Sequence, residues 1–430
     1  MRFLKEFRQA CSCLGDAMPM HDLRKLDPIY RLVAISAAVL VSIHAAFVIK
    51  AFLSPETLSG FADKDFANYW TAGKLILNGQ VMDLFGPQPD YFQHLQAAFG
   101  TGYPWHNWSY PPHYLLLVWP LGFFGYEAAM MLFLGSTAAF FVWALRAFVG
   151  RGNVMAWVAV GPFVAHNFWV AQNGYLCAGL GLGALALRER KPVVAGILLG
   201  FLTIKPQLGL LFPFLLLAER RWSMIASAGM TAVALVGLSA GLFGIDTWKG
   251  YLGEVMPYQT FVMRELEGTF TAMLPSVYGM FRNWAVGADM ALLSHLVVAV
   301  PVAVLTIWAF FKAREAQDRA ILLLVATFLI PPYALSYDLG LFAAALALLA
   351  GGKRDGEATS RGEPVLLAVA MLLPVVMIPL GHLGLSIAPI VILGIFVLAL
   401  RRAGLAWTSG ASVERDLIVN TASSPAAASD

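Results

Sequence analysis

Charge and cysteine are both scarce in this chain of 430 residues. Asp, Glu, Lys and Arg make up only 13% of it, against 59% hydrophobic residues. A soluble domain carries roughly 25% charge, so that class is excluded. The three cysteines are Cys11 and Cys13 near the start and Cys177 in an apolar run. They are too few for a disulfide framework, and the CxC with His21 nearby lacks a complete zinc set. A formal net charge of +3 does not argue for a nucleic-acid partner. No Gly-rich phosphate loop is present, which removes the usual nucleotide site. No metal-ligand spacing occurs either, so no cofactor is expected, although carboxylates are available for a divalent cation. There is no convincing internal repeat.

What the chain has is apolar length. Mean hydropathy is +0.69, and residues 32–53, 223–243, 288–311 and 365–380 approach or exceed the span of about 20 residues that crosses a bilayer. By that rule there are roughly eleven to thirteen hydrophobic segments, some of them short. They are continuous rather than alternating, which excludes a transmembrane barrel. The expected fold is therefore an all-α polytopic membrane protein. Its first apolar run follows about thirty polar residues and is longer than a signal core, so it reads as a retained anchor.

Positive clusters set the expected orientation. Arg2, Lys5, Arg8, Arg24, Lys25 and Arg31 lead the chain, and "RERK" (188–191), "ERRW" (219–222), "KAREAQDR" (312–319), residues 351–363 and Arg401–Arg402 follow. The positive-inside rule makes all of these cytoplasmic. Residues 54–110, "QNG" (172–174), "KPQ" (205–207), 245–287 and "PPYALSYD" (331–338) then fall outside. In the first loop, "NYWTAGKLILNG" and "QPDYFQHLQAAFG" read as short amphipathic helices along the interface, each ending in Gly. Tyr69 and Trp70 read there as interface contacts, and Trp105 and Trp108 as part of an aromatic belt. Residues 110–150 look like two segments divided near 122–125, yet the later loops require an odd number of crossings. Either the first is half-spanning or re-entrant, or Arg146 and Arg151 lie outside against the rule.

The external polar residues carry the chemistry. Asp63 and Asp65 leave the first helix; Tyr110 and His113 sit in "NWSYPPHYLLL"; Gln172 and Asn173 form a turn; Lys205 and Gln207 form a hairpin tip; Tyr337 and Asp338 begin a late helix. All project to one membrane face, where a carboxylate base, a cation for an anionic group, amides and aromatics can share a site. Each also has a plain structural reading. The aspartates serve as helix caps or solvated surface, Gln172 and Asn173 as turn closure, and Tyr337–Asp338 as a local cap. Lys205, between two apolar runs where a cation costs up to roughly 3 kcal/mol, can snorkel to the headgroups. His44 reads as a packed polar residue and Lys50 as an interface anchor; His295 and His382 have no partner that sequence identifies.

The order "DFANYWTAGKLILNG", "YPPHYLLLVWPLGFFGY", "AQNGYLCAGLGLGALALRERKPVVAGILLGFLTIKPQLGLLFPFLLLAERRW" resembles the membrane glycosyltransferases of family 87, over roughly residues 30–402. That resemblance implies a GT-C fold and transfer of a sugar, mannose in known members, from polyprenyl phosphate to a lipid or glycan acceptor outside the membrane. It implies Asp65 as the base or acceptor-orienting group, with Asp63 unmatched, and Lys205 as the ligand of the lipid phosphate. Gln172, Asn173, Tyr110, His113, Gln207, Tyr337 and Asp338 would bind substrate. The sequence departs where mannosyltransferases of the family carry a histidine-rich motif and this chain has "PPYALSYDLG". The departure bears on the sugar and the acceptor and leaves the reaction class intact. The domain division expected is a cytoplasmic segment 1–29, a transferase body 30–402, and a cytoplasmic tail 403–430. The rival readings are a transporter or lipid flippase, which more often shows paired repeats and broken helices at the midplane, and an envelope polysaccharide polymerase or ligase.

Overall fold

A computed structural model describes residues 26–53, 64–352 and 362–405. Asp63, Cys11, Cys13 and His21 lie outside the described residues, as do most of the expected cytoplasmic segment and tail. Among the described residues every regular element is helical. Continuous apolar runs demand this, because only a helix satisfies its backbone polar groups internally where no water is at hand.

In chain order the helices of the first half are α1 Pro28–Leu53, α2 Phe66–Leu77, α3 Gln88–Phe99, α4 Tyr126–Val149, α5 Val154–Val170 and α6 Gly174–Leu187. Helices α7 Pro192–Ile204 and α8 Pro206–Ala218 follow as a hairpin. The second half contains α9 Trp222–Phe243, α10 Met256–Glu265, α11 Val277–Asn283, α12 Ala288–Lys312, α13 Ala316–Ala326, α14 Gly340–Gly351, α15 Glu363–His382 and α16 Ala388–Arg402. Five of these, α1, α4, α9, α12 and α15, are long and apolar enough to cross a bilayer. The protein is an all-α polytopic membrane protein. Helices α9 and α12 expose large apolar side chains such as Val233, Met230 and Val297, an arrangement stable only against lipid.

The shorter helices occupy the centre. Helix α6 has 14 residues, nearly all buried, and at 1.5 Å per residue reaches about 21 Å, short of the ~30 Å hydrocarbon core. Helix α14, with 12 residues, is shorter still. Short central helices end below the rim of the bundle, so the loops they carry lie inside protein. Irregular backbone is tolerated at depth only in such surroundings.

Two expectations for the first loop are corrected. Helix α2 is not laid along the interface: Phe66, Ala67, Asn68, Tyr69, Thr71, Ala72, Gly73 and Leu75 are buried. It nests against the 3-10 turn Trp119–Phe123 at a glycine pair, where a Cβ on Gly73 would stand 2.7 Å from the Gly122 nitrogen. The two backbones touch, so the face carrying Gly73 meets protein. Trp108 is fully buried and donates its indole N–H to the Tyr110 carbonyl at 2.8 Å, so it belongs to the core. Trp70 is half-buried and bonds the Phe124 carbonyl at 3.0 Å, and Trp105 remains exposed.

Residues 110–150 form one long helix, α4, preceded by three short turns, Pro112–Tyr114, Leu115–Val118 and Trp119–Phe123. Those twelve residues cover at most about 24 Å even at 3-10 rise and do not cross by themselves. His44 stacks on Trp169 at 4.7 Å, and His295 and His382 find partners in the Ile330 carbonyl (3.0 Å) and the Thr269 hydroxyl (3.2 Å).

At the end of the bundle where α6 and α8 finish, a single carboxylate collects arginines. Glu219 bonds Arg188 at 3.2 Å and Arg319 at 3.0 Å, with Arg221 at 3.6 Å. This clamp ties α6, α8 and α13 together far from the loops described next.

Candidate active site

The loops at the other end of the short helices meet around Asp65. Helix α5 ends on Ala171, whose φ of 57° is left-handed; a non-glycine residue there carries roughly 1–2 kcal/mol of strain. The kink turns the chain so that residues 172–174 fold back over α5. Asn167, fully buried, holds the turn at both ends: its amide N–H donates to the Gln172 carbonyl at 3.1 Å, and its oxygen accepts the Gly174 N–H at 3.2 Å. Gly174 is required by space. A Cβ there would lie 1.9 Å from the Tyr337 carbonyl oxygen, so this turn and the Ser336–Asp338 turn are in backbone contact.

Gln172 reaches from this turn to Asp65. Its Nε2 donates to Asp65 Oδ2 at 2.9 Å. Its Oε1 accepts from the Tyr69 hydroxyl, from the Tyr110 hydroxyl at 3.2 Å and from the Asn173 N–H at 3.0 Å. The Tyr69 and Tyr110 hydroxyl oxygens also lie 2.8 Å apart, so the two hydroxyl protons are shared over the three contacts of this triangle. Tyr69 is therefore a buried partner of the site, not an interface contact. Asp65 Oδ1 faces the other way and bonds His106 Nε2 at 2.9 Å. Burial alone would push the Asp65 carboxyl up, but the His106 hydrogen bond and charge, the Gln172 amide and the Lys205 cation outweigh it and hold it below the ordinary value.

Lys205 lies in the same cluster, close enough for its charge to act on Asp65. Its Nζ bonds Asp338 Oδ1 at 2.7 Å and sits 4.6 Å from the centre of the Tyr337 ring. Burial alone would pull the lysine down; the Asp338 carboxylate reverses this and raises it. Asp338 Oδ2 accepts the Leu335 N–H at 3.2 Å. Asp338 thus both caps its own turn and pairs with the hairpin tip 133 residues away. Lys205 is not snorkelling: it is 7% exposed and Asp338 1%. Behind the turn, Ser336 bonds His166 at 2.8 Å.

Asn173 approaches the Tyr114 hydroxyl at 3.4 Å. His113 stands apart from the carboxylate, bonded to the Thr203 hydroxyl at 3.2 Å and stacked on Trp248 at 5.8 Å. Burial pushes it down to about 4, so it is neutral at pH 7 and supplies shape rather than charge. Gln207 is half-buried and makes no hydrogen bond among the described residues. The structure thus joins Asp65, Tyr110, Gln172, Asn173, Lys205, Tyr337 and Asp338 and leaves His113 and Gln207 at the margin.

Sequence reasoning missed His106, Tyr69, Asn167 and His166. His106 follows Trp105 in a loop with no periodicity, and its pairing with a residue 41 positions away left no local signal. Among the described residues no three His, Cys, Asp or Glu converge as a metal set would. A cavity of about 300 Å³, lined by Glu315, Asp318, Leu348 and Arg402, lies at the far end of α14 and takes no part here. Around Lys205 the cluster is closed. It reaches solvent at Asp65 and His106, whose side chains are 22% and 21% exposed. One end of the bundle therefore presents an ionised carboxylate at an opening, with a buried cation behind it.

Comparison with known proteins supplies the class of the protein. No curated protein and no solved structure matches the chain. The model of glycosyltransferase family 87 matches residues 108–332, just over half of the chain, including Tyr110, His113, Gln172, Asn173 and Lys205 but not Asp65, His106 or Asp338. The chain belongs to glycosyltransferase family 87 and is a membrane glycosyltransferase.

Proposed function

We propose that the protein moves a hexose, mannose-like in the first instance, from a polyprenyl-phosphate donor to a lipid or glycan acceptor at the external face of the cytoplasmic membrane. The observation that carries this reading is the partly exposed Asp65 carboxylate, joined through Gln172 and the backbone contact of Gly174 with Tyr337 to the turn whose Asp338 holds the buried Lys205. The positive clusters support the orientation, since they put the loops of this site on the face opposite the arginine-rich ends.

The chemistry follows from the groups present. The acceptor hydroxyl loses its proton to Asp65 as its oxygen bonds the anomeric carbon. The bond from that carbon to the phosphate oxygen breaks, and the phosphate leaves with the electron pair. Lys205 stabilises the charge gathering on the phosphate. A single displacement inverts the anomeric centre, so a β-linked donor gives an α-linked product. The Lys205–Asp338 pair adds a condition: the phosphate must share a lysine that already has a carboxylate partner.

The test is transfer by purified protein in lipid nanodiscs, given radiolabelled polyprenyl-phosphate sugars and a membrane lipid extract. Label moving from at least one donor into a lipid or glycan product supports the reading. No transfer from any donor sinks it. Lys205→Met should both raise KM for the donor and lower kcat, since the lysine holds the phosphate in the bound state and stabilises the charge it gains as it leaves.

A further inference from the structure

The two ring nitrogens of His106 both face acceptors. Nδ1 lies 3.1 Å from the Pro104 carbonyl oxygen and Nε2 lies 2.9 Å from Asp65 Oδ1. A carbonyl has no proton to give, so Nδ1 must carry one. A neutral imidazole would then turn a bare Nε2 lone pair toward the carboxylate, two acceptors in contact, and the 2.9 Å approach would be repulsive. The contact needs a second proton between Nε2 and Oδ1. That proton sits either on the nitrogen, giving imidazolium and carboxylate, or on the oxygen, giving imidazole and carboxylic acid.

The surroundings choose between the two. Gln172 donates an N–H to the other carboxylate oxygen at 2.9 Å, and the Lys205 charge acts on Asp65 from within the cluster. Both favour the anion on Asp65. The remaining titratable and charged groups among the described residues nearby are Tyr103, whose ring centre is 5.3 Å from that of His106, Lys64, whose Nζ lies 3.6 Å over the Trp169 ring, and the buried His166.

On the reading that Asp65 is the transferase base, we propose that His106 is a positioning residue that works as an imidazolium, holding Asp65 ionised and fixing the direction of its free lone pairs toward the acceptor hydroxyl. Its loop, residues 100–111, lies between helices, and His106 itself precedes the family match, which begins at residue 108. The sequence supplies the orienting donor from the first external loop, where Pro104 locks the tautomer two residues before the histidine. Loss of the second proton at alkaline pH replaces an attractive contact with a repulsive one, and the carboxylate is released. Transfer then falls on the alkaline side although Asp65 itself remains ionised.

The experiment uses the full chain in nanodiscs and three forms: wild type, His106→Gln and His106→Ala. Gln places an amide N–H where Nε2–H stood and does not titrate. The wild type should show an alkaline limb in kcat. His106→Gln should keep most of the kcat with that limb gone, and His106→Ala should lose about 10²-fold in kcat with little change in KM, the scale of a misplaced reacting group. A second readout is independent of activity. Histidine-labelled ¹⁵N solid-state spectra of the wild type, minus those of His106→Gln, should show two protonated ring nitrogens at neutral pH. A wild-type alkaline limb that persists unchanged in His106→Ala, at wild-type kcat, overturns the inference and leaves the transferase reading intact. Failure of the wild type to transfer from any donor sinks that reading instead, and the difference spectrum still decides the proton: one unprotonated nitrogen overturns the inference.

Discussion

Replacing Asp338 with Asn should unfold the protein far more readily than its single-atom change suggests. The Asp338 side chain is 1% exposed and that of its partner Lys205 is 7% exposed, at 2.7 Å. Asn keeps the shape and an oxygen for the Leu335 N–H, but it removes the anion that makes a buried ammonium tolerable. Stripping one partner from a buried pair costs about 3–5 kcal/mol. Lys205→Met leaves the carboxylate stranded instead and should cost a similar amount. In the double variant Lys205→Met/Asp338→Asn no charge is left, and what remains is an amide imperfectly bonded, about 1–3 kcal/mol. The cycle is therefore strongly non-additive, with the double variant at least about 3 kcal/mol more stable than the sum of the singles predicts. The assay is unfolding of the four forms in one detergent, followed by tryptophan fluorescence against denaturant or temperature. Single variants within about 0.5 kcal/mol of wild type, or a cycle additive to that level, would refute the claim that the two charges form a desolvated unit.

Three further outcomes follow from the same geometry. The Asp65 carboxyl is held below its ordinary value, so its contribution to stability is present above the unfolded value of about 3.9 and fades only as pH falls through the lower folded one. As a base it stays ionised over the same range. Transfer should thus show no acid limb above about pH 4.5, and a limb between about pH 5 and 7 would contradict the assignment. Gly174→Ala puts a Cβ 1.9 Å from the Tyr337 oxygen and should cost at least about 1–3 kcal/mol along with activity; Gly229→Ala, with open space around it, should be neutral or slightly stabilising by thermal unfolding. Glu219→Gln leaves the buried Arg188 beside a neutral group. It should destabilise by about 3 kcal/mol, the low end for a buried network because Arg221 and Arg319 reach solvent, while kcat of the folded protein holds.

The fold was legible because lipid leaves few options. Continuous apolar runs of fixed length can only be helices, and the arginine clusters mark one set of their ends. The same rule misled at α2. "NYWTAGKLILNG" has the spacing of an amphipathic helix, but nothing in it says whether the apolar face meets lipid or protein. Gly73 and Gly122, 49 positions apart, decide that by letting two backbones touch. The site was half legible for a related reason. Asp65, Gln172 and Lys205 each stand out because a polar residue beside an apolar run costs free energy and asks for a purpose. Tyr69 gave no such signal, since an aromatic near a membrane face is ordinary. His106 gave none either, lying in a polar loop where a histidine needs no explanation. Asp338 was visible as a polar residue, but its pairing with Lys205 depends on two short helices bringing their ends to one depth.

The most direct test of the account is the rate of the chemical step in Asp65→Asn. Single-turnover transfer from a saturating polyprenyl-phosphate sugar, measured beside wild type at one pH, isolates the base from binding. Asn keeps the hydrogen bond from Gln172 and most of the shape, and a saturating donor removes any change in donor affinity from the comparison. The account predicts a rate lower by about 10²–10⁴-fold, the contribution of a positioned general base, with wild-type product inverted at the anomeric carbon. Transfer by Asp65→Asn at the wild-type rate, or a product that retains the donor's configuration, would contradict it.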